Sequence, residues 1–219
     1  MKDLQILLTA VLLLTCCSDP VAEARKDLDS LDPEKRAGAA RFLGEKKDKE
    51  SVPRLVRMLA DEDVTVRMEL VRALGNIGAS EAARPLVEMY SREEDEGVSR
   101  AASRAMVKIG SPSVQPLVEV LGSRRPEVRA GAARTLGKIG SQRAVDPLIR
   151  LIDDRDPDVR RAAIHSLRSI GGSRALDAIA RSVQDRDRDV ESTAEDALSG
   201  PGYEDQLDRA KQLIRGAVR

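Results

Sequence analysis

The apolar positions of this chain recur with a period close to 31 residues. Leu43, Leu74, Met106, Leu136, Leu167 and Leu198 form one column, with spacings of 31, 32, 30, 31 and 31. Leu55, Leu86, Leu117, Leu148 and Ile179 form a second, spaced by 31 throughout. A third runs through Leu59, Tyr90, Leu121, Ile152, Val183 and Ile214. The compensating 32 and 30 place one extra residue before Met106 and one missing residue in the loop after it. A sustained period of this length marks a repeat array, because units this small cannot bury their apolar faces alone and must stack.

The spacing within a unit predicts two helices. Val52, Leu55, Met58 and Leu59 fall at i, i+3, i+6 and i+7, one face of a helix. The helix preceding it opens at Asp32-Pro33 and Asp156-Pro157, with an oxygen acceptor at the N-cap and proline in the first turn. Its end is expected at glycine: Gly44, Gly75 with Gly78, Gly110, Gly137 with Gly140, and Gly171. Small residues crowd it at Ala37-Gly38-Ala39-Ala40 and Ala130-Gly131-Ala132-Ala133, which would let neighbouring first helices approach closely. Residues 32–217 thus divide into six repeats. Residues 18–31 set Val21, Ala24 and Leu28 one period before Val52, Leu55 and Leu59, and are expected to form an N-terminal cap, the second helix of a half-repeat.

The block Asp156-Pro157-Asp158-Val159-Arg160-Arg161-Ala162-Ala163, followed by Leu167, Ile170-Gly171 and Ala175, resembles a HEAT repeat, and most of all the short type named after phycocyanobilin lyases. The resemblance implies an all-α fold: a right-handed α-solenoid, or superhelix, of about six two-helix repeats. It also implies a structural ladder between neighbours, built from an aspartate at the turn and the arginine after the valine. Its members here are Asp32, Arg36, Asp63, Arg67, Arg129, Asp156 and Arg160. Asp95 and Asp187 extend the acidic column, which Arg125 interrupts; Ser99 and Glu191 interrupt the basic one. Weaker stacking or a bend is therefore expected at repeats three, four and six.

In such a fold the second helices line the concave face. Their exposed column here is Arg57, Glu88, Glu119, Arg150 and Arg181, the candidate partner-binding residues. One turn earlier stand Pro53, Arg84, Gln115, Asp146 and Asp177. The i,i+4 spacing predicts ion pairs Arg84–Glu88, Asp146–Arg150 and Asp177–Arg181, leaving Glu119 and Arg57 freest to meet a ligand.

The N-terminus carries an address. Leu4 to Leu14 is apolar except for Gln5 and Thr9, and eleven helical residues rise only about 16 Å, too short for a hydrocarbon core of roughly 30 Å. A short apolar stretch ending in small residues reads as a secretory signal. Leu14-Thr15-Cys16-Cys17 resembles the lipobox of bacterial lipoproteins, which implies a signal peptide over residues 1–17 and lipidation of Cys17. Cleavage before Cys16 is one alternative; a packed N-terminal helix with two inert thiols is the other.

Composition narrows the chemistry. Lys and Arg number 37 against 37 Asp and Glu, so net charge is zero and a general nucleic-acid partner is not expected. Three aromatic residues, Phe42, Tyr90 and Tyr203, give no stacking platform for bases. With His165 the sole histidine and no cysteine after Cys17, no metal site or cofactor is expected. Gly131-x5-Gly137-Lys138-Ile139 has one residue too many for a phosphate loop and lacks the magnesium-binding hydroxyl. His165 falls in an exposed column of arginines and reads as a solvated histidine, and carboxylate pairs such as Asp153-Asp154 lie at helix ends and turns.

The expectation is a monomeric, non-enzymatic scaffold. It would be exported to a bacterial cell envelope, anchored by lipid to the periplasmic or surface face of a membrane, and would bind a protein or peptide in its concave groove. The alternatives are a bilin lyase or isomerase, opposed by the export signal and the scarcity of aromatics, and a purely structural factor of envelope assembly.

Overall fold

The computed structural model describes residues 19–199; the expected signal segment with Cys17, and Ile214 of the third apolar column, lie outside them. A short helix α1 (Pro20–Asp27) precedes an alternation of first and second helices. The first helices are α2 (Pro33–Glu45), α4 (Val64–Ile77), α6 (Glu96–Ile109), α8 (Pro126–Ile139), α10 (Pro157–Ile170) and α12 (Arg188–Leu198). The second helices are α3 (Val52–Arg57), α5 (Ala83–Arg92), α7 (Val114–Val120), α9 (Val145–Arg150) and α11 (Ser173–Arg181). No strand occurs among the described residues, and the chain is an all-α solenoid.

The periodic columns are its core. Leu43, Leu74, Met106, Leu136, Leu167 and Leu198 are each 0% exposed, as are Leu55, Leu86, Leu117, Leu148 and Ile179. Each such side chain contributes about 1.5–3 kcal/mol by leaving water. Burial comes from stacking: α4 packs on α2 and α6, and α10 on α8 and α12. Helix α1 packs on α2 with Ala24 and Leu28 buried, and Arg25 forks onto both oxygens of Asp48 at 2.8 and 2.5 Å.

Glycine serves two purposes rather than one. Gly78, Gly110, Gly140 and Gly171 end their helices with φ between 71° and 78°. Gly44, Gly75 and Gly137, expected as stops, lie inside helices. A Cβ on Gly44 would stand 2.5 Å from Ala73 Cα, and one on Gly75 2.7 Å from Ala105 Cα. Their missing side chain sets the close approach of successive first helices. Helix α2 ends instead beyond Glu45, where Lys47 takes the left-handed conformation at φ 52°.

The ladder exists, but its acids are not the expected ones. Asp32, Asp63, Asp95, Asp156 and Asp187 accept backbone N–H bonds at the helix starts and are spent as N-caps. The arginines reach past them into the next repeat, to an acid two residues before its cap. Arg36 forks onto Asp61, Arg67 onto Glu93, Arg129 onto Asp154 and Arg160 onto Asp185, with N–O distances of 2.7–3.2 Å. The remaining Nη1 of each donates to carbonyls five and six residues back, as Arg160 does to Arg155 and Asp154. Asp154 thus accepts Arg129 on its carboxylate and Arg160 on its carbonyl, so two rungs join into one strut.

Both members of one rung are missing together. Ser99 replaces the arginine and Ser123 replaces the acid it would meet. Helix α8 also lacks a side-chain cap, because Arg125 stands at that position. Arg125 turns back instead, with Nη1 3.5 Å from the Glu93 carbonyl. In addition Val107 occupies the column of Gly44, Gly75 and Gly137, so close approach is lost. Helix α6 packs on α8 more loosely than the other first helices pack on their neighbours, and a cleft of about 490 Å³ opens between them. The weakness expected at repeat six concerns stacking on residues outside the described ones; that expected at repeats three and four falls at this boundary. The extra residue of the period lies just before it, between Tyr90 and Glu93, and the missing one lies in the turn after Gly110.

Candidate functional site

Arg57, Glu88, Glu119, Arg150 and Arg181 all lie exposed on successive second helices. The pairings predicted within each helix do not form. Arg84 turns away from Glu88 and crosses to the next repeat, where Nη1 and Nη2 donate to the two oxygens of Glu119 at 2.7 and 3.1 Å. Asp146 meets Arg174 of the following helix at 2.7 Å rather than Arg150, and Arg54 reaches back to Asp29. A guanidinium fork holding both carboxylate oxygens outcompetes an exposed i,i+4 pair worth a few tenths of a kcal/mol. Neighbouring second helices lie side by side, which brings the fork within reach.

Glu119 is therefore not free. The hydrogen bond from Arg84 holds its carboxyl below the usual range against desolvation, and Gln115 supports it. Arg57, Glu88, Arg150, Asp177 and Arg181 form no hydrogen bond or ion pair through their side chains among the described residues. Two of these, Arg57 and Glu88, border a single groove of about 660 Å³ between α3 and α5, which Val56, Pro85 and Met89 also line. Arg150 and Arg181 stand farther along the same series of helices, outside that groove.

Sequence reasoning missed the ladder acids Asp61, Glu93, Asp154 and Asp185. They carry the repeat period themselves, two residues ahead of the cap column, and that was the available signal. Burial pushes each carboxyl up, but its arginine fork and a backbone N–H outweigh this and hold it below the ordinary value. Gly131 and Gly137 have packing roles, against Tyr90 and Ser166 respectively. His165 is exposed on α10. Among the described residues no group of three or more His, Cys, Asp or Glu is placed to hold a metal ion, and no helix is long and apolar enough to cross a membrane.

The family model for HEAT repeats matches residues 21–107 and 114–199, and the chain belongs to the HEAT-repeat family. None of the curated proteins matches it. Among solved structures, one from work on microtubule plus-end tracking by XMAP215, CLIP-170 and EB1 shares 16% identity at a TM-score of 0.62, covering 84% of this chain and 91% of that one. The Escherichia coli protein YibA shares 21% identity at 0.50, over 84% of this chain and 70% of its own. An engineered protein shares 25% identity at 0.49, over 88% and 98%. These likenesses concern the fold.

Proposed function

We propose that this chain is a non-enzymatic HEAT-repeat scaffold, held at a bacterial membrane by lipid on Cys17, that binds a protein or peptide along its second helices. The observation that carries the binding role is the α3–α5 groove. Arg57 and Glu88 face it from adjacent helices, opposite in charge and unpaired, beside apolar Val56, Pro85 and Met89. An extended segment with apolar side chains flanked by an acid and a base would satisfy all of these at once. Charges at such a rim act chiefly on association rate and salt dependence. Anchoring is supported by Leu4–Leu14 and the cysteine pair; Ser18 and Asp19 alone separate Cys17 from helix α1.

The test is site-specific photocrosslinking in native membranes, with the probe at Arg57, at Glu88 and, as control, at Lys35 on the first-helix side. A discrete adduct from the first two positions only, lost in Arg57→Glu/Glu88→Lys, is the expected result. An adduct from Lys35 alone would overturn the assignment. In the same fractions Cys17→Ser is expected to leave the membrane pellet unlabelled by a fatty-acid probe; labelling that persists would overturn the anchor.

A further inference from the structure

The loosened boundary between α6 and α8 has an intact counterpart between α2 and α4. At the boundary of α2 and α4, Arg41 and Arg72 occupy the same column on successive first helices and share one carboxylate. Arg72 Nη1 donates to Glu69 at 2.7 Å, Arg41 Nε lies 3.6 Å from its other oxygen, and Glu69 is 7% exposed. The equivalent trio between α6 and α8 is Arg104, Gly131 and Arg134. Both arginines are kept, and neither has a hydrogen bond or ion pair among the described residues; the carboxylate between them has become a hydrogen atom. Lys138, one turn beyond Arg134, adds a third unpaired cation where α4 has neutral Asn76.

Tyr90 takes part of the vacated space. Its hydroxyl lies 1.8 Å from where a Cβ on Gly131 would stand. The phenol does not replace the lost charge, since burial pushes its pKa up and keeps it neutral, while its oxygen is hydrogen-bonded with Ser103. The acids of the cleft are mostly engaged elsewhere: Glu93 by Arg67, Glu96 by Arg100 and Glu127 by Arg125, with Glu94 left exposed. Arg134 also borders a shallow groove toward α10, where Asp158 is held by Arg161 and Asp156 caps the helix.

We infer that the α6–α8 cleft binds a small oxyanion of the phosphate-monoester class, seated where the Glu69 carboxylate lies in the second repeat. Two guanidinium groups and an ammonium line this one cleft with no ion pair of their own, so a dianion balances them better than a single carboxylate can. Guanidinium forks also match the paired oxygens of a phosphate. The cleft meets the Arg57–Glu88 groove at Glu93 and Glu94, but Arg104, Arg134 and Lys138 line the cleft and not that groove, so this site does not rest on the scaffold role.

The test is equilibrium dialysis of the purified full chain against radiolabelled inorganic phosphate at fixed ionic strength. Saturable binding of one phosphate per chain is expected. Arg104→Gln or Arg134→Gln should weaken it about tenfold or more, the loss of a charge-assisted hydrogen bond, while Arg72→Gln should leave it unchanged. Gly131→Glu/Tyr90→Leu, which rebuilds the internal carboxylate, should abolish binding with the helical circular dichroism retained. Absence of saturable binding, or binding unaltered by Arg134→Gln, would overturn the site. Competition by acetate as strong as by phosphate would overturn the choice of a phosphate ligand.

Discussion

Arg160 and Asp185 are joined across a repeat boundary by two parallel bonds of 2.8 Å, with side chains only 5% and 10% exposed. The same guanidinium also grips the carbonyls of Asp154 and Arg155, so one residue fastens the turn behind it and the repeat ahead. Replacing Arg160 with alanine leaves a largely buried carboxylate without its partner. A loss of about 2–3 kcal/mol is expected in denaturant titration. Arg161→Ala removes only an exposed pair with Asp158 and should change stability by less than about 0.5 kcal/mol. Equal effects would show that the strut does not carry the stacking.

The strut also sets an acid limit. Asp61, Glu93, Asp154 and Asp185 have carboxyl pKa values depressed in the folded chain, so they contribute stability that is fully present above their unfolded values of about 4. As pH falls through the lower folded values, protonation releases the arginines and that stability is lost. Thermal melts should therefore be level near neutrality and fall steeply below about pH 4. In Asp185→Asn the neutral-pH melting point should drop and the acid slope become shallower; an unchanged slope would place the acid sensitivity elsewhere.

Glycines 38 and 44 make a matched pair on α2. A Cβ on Gly38 meets nothing within 4 Å, so Gly38→Ala should stabilise the chain by about 0.5–1 kcal/mol through helix propensity alone. On Gly44 the same methyl group would press into the backbone of Ala73, and Gly44→Ala should cost about 1–3 kcal/mol. Chemical denaturation of the two variants side by side measures both. Effects of the same sign would mean that the first helices are not in this close contact.

Ser99 and Ser123 offer a gain-of-function version of the ladder. Either Ser99→Arg or Ser123→Asp alone places an uncompensated charge at the boundary and should be neutral or destabilising. Together they supply the fork present at the other boundaries, and a double-mutant cycle should show a favourable coupling of about 1 kcal/mol or more. Coupling near zero would mean that Val107, and not the missing rung, holds α6 and α8 apart.

The period, the two-helix unit, the N-caps Asp32 and Asp156 and the three apolar columns were legible in the sequence, because those depend on which residues recur at helical spacing. It also located the defect, since Ser99, Arg125 and the shifted spacing are visible as interruptions of a column. What it left open was which of several adjacent charges meet. Asp61 and Asp63 are equally acidic and lie two residues apart; only the packed turn decides that Asp63 faces the helix start and Asp61 faces Arg36. Likewise Arg84 can reach Glu88 in its own helix or Glu119 in the next, and the distance between stacked helices settles it. Local spacing fixes what lies along one helix. Pairing between long charged side chains is fixed by how closely and at what offset neighbouring helices stack, and that offset is set by contacts such as Gly44 on Ala73, between residues roughly one repeat apart in the chain.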